Sequence, residues 1–317
     1  MQRPRLVCLV GPTASGKTRL GVELAQRLGA EIVSADSRQV HRELDIGTAK
    51  PTPEERRMAR HHCLDLIPPD ERFDVARFRT HALAAVADIR RRGRHVLVVG
   101  GTGLYVRALL YGLCPAPPRH PPLRAALVSM AERRGTAALH RGLVHVDPAA
   151  AARIHPHDTV RIVRALEVSM ASGRRLSEWQ ARHAFGDAPF ETLIVGLMVP
   201  TPTLDARIVR RIDAMLAAGW LDEVRRLASR RYGDDAPVWR TLGYAEMRRV
   251  VEGRAGLDEA TQATALATRR YAKRQRTWFR HESQVVWRDP ERDAARIADD
   301  VAAFLGGARI AKAQGPE

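Results

Sequence analysis

This chain of 317 residues is poor in the features that mark secreted, membrane-spanning or metal-stapled proteins. It has three cysteines, Cys8, Cys63 and Cys114, and no two are spaced as metal ligands or as a redox pair. That argues against a zinc site or a disulfide framework and leads us to expect a reduced, cytoplasmic protein. No apolar run approaches the ~20 residues that cross a bilayer, so no membrane partner is expected. Met1-Gln-Arg-Pro-Arg5 passes straight into an apolar stretch, which leaves no room for a signal peptide. Internal repeats are missing too, which argues against a solenoid or propeller. Acid is scarce: 36 Asp plus Glu face 52 Lys plus Arg, a net charge of +16. A field of that sign suits a polyanionic partner, nucleic acid ahead of an acidic membrane surface. A composition that favours arginine throughout gives the same total, so charge alone does not decide.

Against that background one stretch stands out. Leu6-Val-Cys-Leu-Val10 reads as a buried strand, and Gly11-Pro-Thr-Ala-Ser-Gly-Lys-Thr18 follows with the spacing G-x-x-x-x-G-K-T. A helix with Leu20, Leu24 and Leu28 on one stripe comes next. Strand, glycine loop and helix are the context a phosphate-binding loop needs. Glycines let backbone N–H groups crowd round an anion, and the helix N-terminus adds partial positive charge. Lys17 would reach the outer phosphate, and the Thr18 hydroxyl would face a metal ion. The motif names a polyphosphate without choosing the reaction.

Further along, Glu31 to Asp36 reads as a second strand ending in a carboxylate, which α/β topology sets beside the loop. The polar connection from Ser37 to Lys50 is long enough to suggest function. Pro51 to Glu55 starts a short helix, and His61 to Ile67 is a third strand candidate. His61 and His62 are adjacent on that strand and so point to opposite faces, which disfavours a shared ion. Asp74 looks like the N-cap of a helix running to Arg92. Arg94 to Val99 is a buried strand that enters Gly100-Gly101-Thr102-Gly103, where a nucleotide hydrolase would often place a metal-binding acid. After the breaker-rich Pro115 to Pro122, only Leu143 to Val146 reads weakly as strand, so a helical, arginine-rich insertion is expected. His155 and His157 have no further ligands nearby. Glu191 to Val199 resumes the sheet, and helices are expected over Thr203 to Ala218, Asp258 to about Ser283 and Asp293 to Leu305. In the second of these, basic residues alternate with Tyr271, Trp278 and Phe279, a pattern that fits either single-stranded RNA contact or a packed core. The expected fold is therefore α/β: a P-loop-type parallel sheet flanked by helices, with an inserted, mostly helical domain. The core would span 1–117 and 188–305, the insertion 118–187, and a frayed tail 306–317.

Taken together, several segments resemble the tRNA dimethylallyltransferase family. They are the phosphate loop, Ser34-Ala-Asp-Ser37, Asp45-Ile-Gly-Thr-Ala-Lys-Pro51, Val99-Gly-Gly-Thr102, Val146-Asp-Pro148, Arg153-Ile-His-Pro156, Arg161 with Arg164-Ala-Leu-Glu167, Gly243-Tyr244, and Lys273-Arg-Gln275 with Thr277-Trp278. They fall in the family's order and span almost the whole chain. The resemblance implies transfer of a dimethylallyl group from dimethylallyl diphosphate to the exocyclic N6 amine of the adenosine 3′ of the anticodon in tRNA, with Mg²⁺ as cofactor. It implies a diphosphate cradle of Gly11, Thr13, Ala14, Ser15, Gly16, Lys17 and Thr18, joined by Arg207, with Thr18 also at the metal. Asp36 would be the general base, with Thr102 and Lys17 completing the catalytic set. Contact with the tRNA anticodon stem-loop is implied for Asp36, Ser37, Arg38, Gln39 and Thr102, and for Arg124 and the stretch Val160, Arg161, Ile162, Val163 and Arg164. The same holds for Arg240, Thr241, Leu242, Gly243 and Tyr244, and for Lys273 and Arg274. A monomer is expected. The chain departs from the family's commoner residues at Arg38 and His41, both in the acceptor loop.

The chemistry can also be argued from the residues. Adenine's amine is a weak nucleophile, and a carboxylate in reach that takes its proton adds about 10²–10⁴-fold. Asp36 at a strand end suits that role; a metal-binding or structural acid is the other reading of it. An ATP-dependent small-molecule kinase would explain Lys17 and Thr18 but not the Gly-Gly-Thr strand end, and a non-catalytic RNA-binding protein would leave Asp36 and Thr102 idle.

Overall fold

The computed structural model describes residues 3–183 and 188–310. In order, the elements are β1 (Arg5–Val10), α1 (Lys17–Leu28), β2 (Ala30–Ser34), α2 (Pro53–Met58), β3 (His61–His62), α3 (Val75–Arg91), β4 (His95–Gly100) and α4 (Gly103–Tyr111). Then come α5 (Pro121–Arg134), α6 (Thr136–Val146), α7 (Pro148–Ala151), α8 (Thr159–Ser172) and α9 (Leu176–His183). The chain continues with β5 (Glu191–Leu197), α10 (Thr201–Ala217), α11 (Trp220–Ser229), α12 (Tyr244–Val251), α13 (Leu257–Arg280), β6 (Val285–Arg288) and α14 (Ala294–Gly306). It divides into two units, one of 1–110 with 189–317 and one of 111–188. The expected boundary at 187 and residues 311–317 of the expected tail lie outside the described residues.

The first unit is built on a six-stranded sheet in the order β3-β2-β4-β1-β5-β6, every neighbouring pair parallel. Apolar runs bury both faces, as a sheet covered by helices requires. Leu9, Leu97 and Val195 meet Leu24 of α1 and Val301 of α14 in one core. Cys8 lies inside β1, where burial pushes its thiol up to about 12 and leaves it unreactive. A second apolar core gathers Leu44, Ile208, Trp220, Tyr244 and Ala272 from the acceptor loop and from α10 to α13.

The third strand is shorter than its hydrophobicity suggests. Only His61–His62 pairs with β2, because Cys63 (φ 63°) and Asp65 (φ 56°) turn left-handed and break the extended run. The two histidines part as expected: His62 Nε2 lies 2.7 Å from Glu31 Oε2, and His61 Nδ1 lies 2.7 Å from the Ala59 carbonyl. Asp74 caps α3 by accepting from the amides of Ala76 and Arg77.

Among the described residues of the second unit the regular elements are all helices, α5 to α9. Leu143 to Val146, weakly strand-like in sequence, is the last turn of α6, because Leu139 and Leu143 recur at helical spacing and share one core with Leu127, Ile162 and Leu166. At its centre Glu167, with no exposed side-chain surface, accepts from the amide of His120 (2.9 Å) and from Arg124 and Arg164 (3.0 Å each). Burial opposes the charge on Glu167, but these donors outweigh it and hold the carboxyl below its ordinary value of 4.5. Such a group stabilises above that value, and the contribution is lost as pH falls below it. Glu167→Ala, which leaves two arginines without their carboxylate, is expected to cost about 3 kcal/mol in urea denaturation at neutral pH, with the loss shrinking as the pH falls below the ordinary glutamate value of 4.5.

Candidate active site

The carboxyl ends of the strands converge on a cavity of about 310 Å³ in the first unit. Its floor is the loop between β1 and α1. A Cβ on Gly11 would lie 3.1 Å from the Leu197 carbonyl, so the loop passes close against β5. Ala14 (φ 62°) and Gly16 (φ 88°) take left-handed backbone and turn the chain into α1, whose first turn holds no acid. The first amides of a helix have no partner within it, and together they favour an anion. Ser15 Oγ is buried without a hydrogen-bond partner among the described residues, the mark of a cradle built for something polar. Lys17 Nζ folds back onto the Pro12 carbonyl at 2.5 Å. Burial and the nearby Arg211 lower Lys17 to about 7, against the opposing pull of Asp36.

One wall comes from the ends of β2 and β4. The Ala35 amide donates to the Val99 carbonyl (2.9 Å), and the Thr102 amide donates back to the Ala35 carbonyl (3.2 Å). A Cβ on Gly100 would sit 2.3 Å from that carbonyl oxygen, so no side chain fits at this strand end. The crossing sets Asp36 beside Thr102. Asp36 Oδ1 accepts from the amides of Arg38 (2.8 Å) and Gln39 (3.3 Å), and Thr102 Oγ1 accepts from the Ser37 amide (3.1 Å). Gln39 is pinned in turn, donating to the Ala49 carbonyl (3.0 Å) and accepting from Ser34 (3.1 Å).

The opposite wall is α10. Ile208, Arg211, Ile212 and Met215 recur at helical spacing and line the cavity. Arg211 Nη1 donates to Thr13 Oγ1 at 3.4 Å. Arg207, the residue the resemblance assigns to the diphosphate, is absent from the cavity lining and pairs with Glu291. The two arginines share a face, but only the one a turn further along reaches the phosphate loop. The i,i+4 spacing was the sequence signal that could have raised Arg211.

The rim is the acceptor loop, held by buried groups. Glu223 accepts from the amides of Asp45 and Ile46 (2.8 Å each) and Gly47 (3.2 Å), and from the Tyr244 hydroxyl (2.6 Å). Trp220 lies so close to Gly47 and Gly243 that a Cβ on either would stand 2.2 Å from its ring system. Lys50, also buried, donates to the His41 carbonyl (2.6 Å), Asp45 (2.7 Å) and Asp65 (2.5 Å). His41, one of the departures, is a buried stitch: its Nδ1 lies 3.1 Å from the Pro68 carbonyl, and burial lowers its pKa. The other departure, Arg38, lines the cavity.

Most of the remaining candidates are also placed. Arg240, Thr241, Leu242 and Arg274 line the cavity, Lys273 is exposed, and Gly243 and Tyr244 are buried behind it. Of the three aromatics in α13, Tyr271 alone lines the cavity, beside Thr102, and burial raises its phenol to about 12. Phe279 is core, and Trp278 packs against Gly103. In the second unit Val160 and Arg161 are exposed, Ile162 and Val163 point into that unit's core, and Arg124 and Arg164 are held by Glu167. Gln275 and Glu223, to which sequence reading gave no role, proved central.

A sequence profile of the family described as IPP transferase matches residues 39–282. The tRNA dimethylallyltransferase of Anaeromyxobacter dehalogenans (strain 2CP-C) is 53% identical over 294 residues, 93% of this chain and 98% of that protein. Its counterpart in Geobacter metallireducens is 49% identical over 286 residues, 90% of this chain and 93% of that one. Among solved structures, the full-length tRNA isopentenylpyrophosphate transferase of Bacillus halodurans superposes with a TM-score of 0.71 at 37% identity, covering 96% of this chain and 97% of that one. A eukaryotic dimethylallyltransferase acting on tRNA superposes with a TM-score of 0.81 at 26% identity, covering 97% and 81%.

Arg211→Ala should weaken inorganic diphosphate binding by about tenfold or more, the loss of one charge-assisted contact, while Arg207→Ala stays within about twofold. Calorimetric titration of the two variants compares them. Between about pH 7 and 10.5 the free protein holds Lys17 neutral, so a bound anion must bring a proton with it. The ratio of wild-type to Lys17→Met affinity should therefore fall as pH rises above 7, by up to about tenfold per unit.

Proposed function

The chain belongs to the IPP transferase family and is a transferase that prenylates tRNA, and we propose that it moves a dimethylallyl group from dimethylallyl diphosphate to the N6 amine of the adenosine 3′ of the anticodon. The observation that carries this reading is the meeting of a phosphate cradle with the Asp36 carboxylate in one cavity with an apolar side, with the Thr102 hydroxyl tied to the Ser37 amide immediately behind that carboxylate. A phosphate-loop kinase or ATPase would often end β4 in a metal-binding acid. Gly100 leaves no space for one.

The diphosphate sits on the loop amides and the first turn of α1, with Lys17 and Arg211 neutralising charge as it leaves. The dimethylallyl group lies against Ile208, Ile212 and Met215, which exclude water from the allylic carbon. Mg²⁺ suits the donors present. Thr18 offers a hydroxyl oxygen to the cavity, and among the described residues no cluster of three His, Cys, Asp or Glu could hold a softer metal. An ion with so few protein ligands keeps waters and takes phosphate oxygens from its substrate. Bound there, it would stabilise negative charge on the departing diphosphate.

The adenine must leave its stack to enter, at a cost of a few kcal/mol that is least in a single-stranded loop. Thr102 and the Ser37–Gln39 turn receive its edge. As the N6–carbon bond forms, the carbon–oxygen bond to diphosphate breaks and the N6 proton passes to Asp36. The turn amides on Oδ1 hold that carboxylate in place for the transfer. The exposed basic residues Arg161, Lys273 and Arg274 supply phosphate contacts to the stem-loop, without sequence information.

Labelled dimethylallyl diphosphate with unmodified tRNA tests the reading: label should enter the RNA, and ATP consumed on a small metabolite instead would overturn it. Asp36→Ala should cut turnover about a hundredfold or more while tRNA affinity changes little. Affinity for tRNA should fall with salt on a log–log slope of several units, as displaced counterions require.

A further inference from the structure

α13 runs along the Gly100–Gly103 loop and touches it at successive positions of one face. Tyr271 stands at Thr102, Gln275 at Gly101, and Trp278 at Gly103. The middle contact differs from the other two because it also reaches the phosphate loop. Gln275, buried, donates from Nε2 to the Gly101 carbonyl at 2.9 Å. Its Oε1 accepts from the Thr13 amide at 2.8 Å. One carboxamide thus joins the loop that cradles the leaving group to the loop that ends in Thr102. The fit is close: a Cβ on Gly101 would lie 2.1 Å from Gln275 Nε2, so a side chain at 101 would push this carboxamide out of place. The bond also takes the Thr13 amide out of the set available to an anion, while Arg211 holds the Thr13 hydroxyl.

We propose that Gln275 is a positioning residue that fixes the spacing between the diphosphate site and the acceptor site, and thereby decides whether the allylic carbon is captured by the tRNA amine or by water. The proposal rests on the prenyl-transfer reading above. In that reaction the carbon must pass from an oxygen held by the phosphate loop to a nitrogen held beside Asp36 and Thr102. Misplacement by about 1 Å in such a geometry can cost on the order of 10²-fold. If the amine arrives late or off line, water can take its place, giving dimethylallyl alcohol and diphosphate. No glutamine atom enters the chemistry. A carboxamide is the one uncharged side chain of this length that accepts on one side and donates on the other.

The test uses the full chain with Gln275→Met, which keeps length and loses both hydrogen bonds, and Gln275→Glu, which keeps an acceptor for Thr13 and loses the donor to Gly101. The readouts are kcat and KM for tRNA, the ratio of dimethylallyl alcohol to modified tRNA, and hydrogen exchange of the Thr13 amide. For Gln275→Met we expect kcat to fall about ten- to hundredfold, KM for tRNA to stay within about threefold, the alcohol ratio to rise severalfold, and the Thr13 amide to exchange faster. For Gln275→Glu the Thr13 amide stays protected while the alcohol ratio still rises, which separates the two halves of the clamp. An unchanged alcohol ratio in both variants overturns the proposal, as does a Thr13 amide that stays protected in Gln275→Met. If Gln275→Met does not fold, the alcohol ratio of Gln275→Glu decides. If the wild-type chain transfers no prenyl group, the functional reading fails, and Thr13 exchange, which needs no reaction, decides whether the clamp exists.

Discussion

The site depends on one backbone crossing. The ends of β2 and β4 are stitched by two hydrogen bonds through Ala35, at a separation that leaves no room for a side chain at Gly100. Sheet pairing thus fixes, without any side chain, that Asp36 and Thr102 stand next to each other. Side chains on flexible loops would have to pay the entropy of finding that arrangement each time. What the crossing gives up is a carboxylate near the end of β4, the group on which nucleotide hydrolysis in phosphate-loop proteins relies. The same constraint that assembles a base and a hydroxyl therefore leaves no place for that carboxylate at the end of β4.

Around that crossing, charge is arranged against solvation. Lys17, Arg211 and Asp36 share a half-enclosed space, and burial weakens the hold of both cations on their protons. Two cations buried this way are electrostatically unsettled, and a polyanion relieves them. The acceptor loop solves the opposite problem. Its amides at Asp45, Ile46 and Gly47 already have an anion, the internal Glu223, so this concavity is filled from within and serves as scaffold. Two amide clusters of similar form thus have different fates, and the difference lies in whether a buried carboxylate reaches them.

How legible this was depends on the range of the interaction. The phosphate loop, the strand ending at Asp36 and the Gly-Gly-Thr strand end were readable because each is a short run whose residues act on their own backbone. The helix periods of α3, α10 and α13 were readable for the same reason. The third strand was overestimated because apolar residues at 63–67 say nothing of left-handed backbone at Cys63 and Asp65. Leu143 to Val146 misled because two β-prone valines cannot outvote a helical stripe that starts at Leu139. The rotation of α10 that brings Arg211 to the loop depends on its packing against the second core. Gln275 and Glu223 are central through partners more than 150 positions away, as their bonds to Thr13 and Asp45 show. Nothing local in the sequence encodes such a partner, although the family motif carried Gln275 along unexplained.

The strand order has a consequence for how the chain is made. β1 lies between β4 and β5, and β5 begins at Glu191, so the strand that leads into the phosphate loop keeps one open edge until nearly two thirds of the protein has left the ribosome. Parallel pairing over such a span is slow, because a long stretch must be closed before any contact rewards it. The Arg5–Glu191 ion pair, at the first rung of the β1–β5 register, then sits where a zipper would be started.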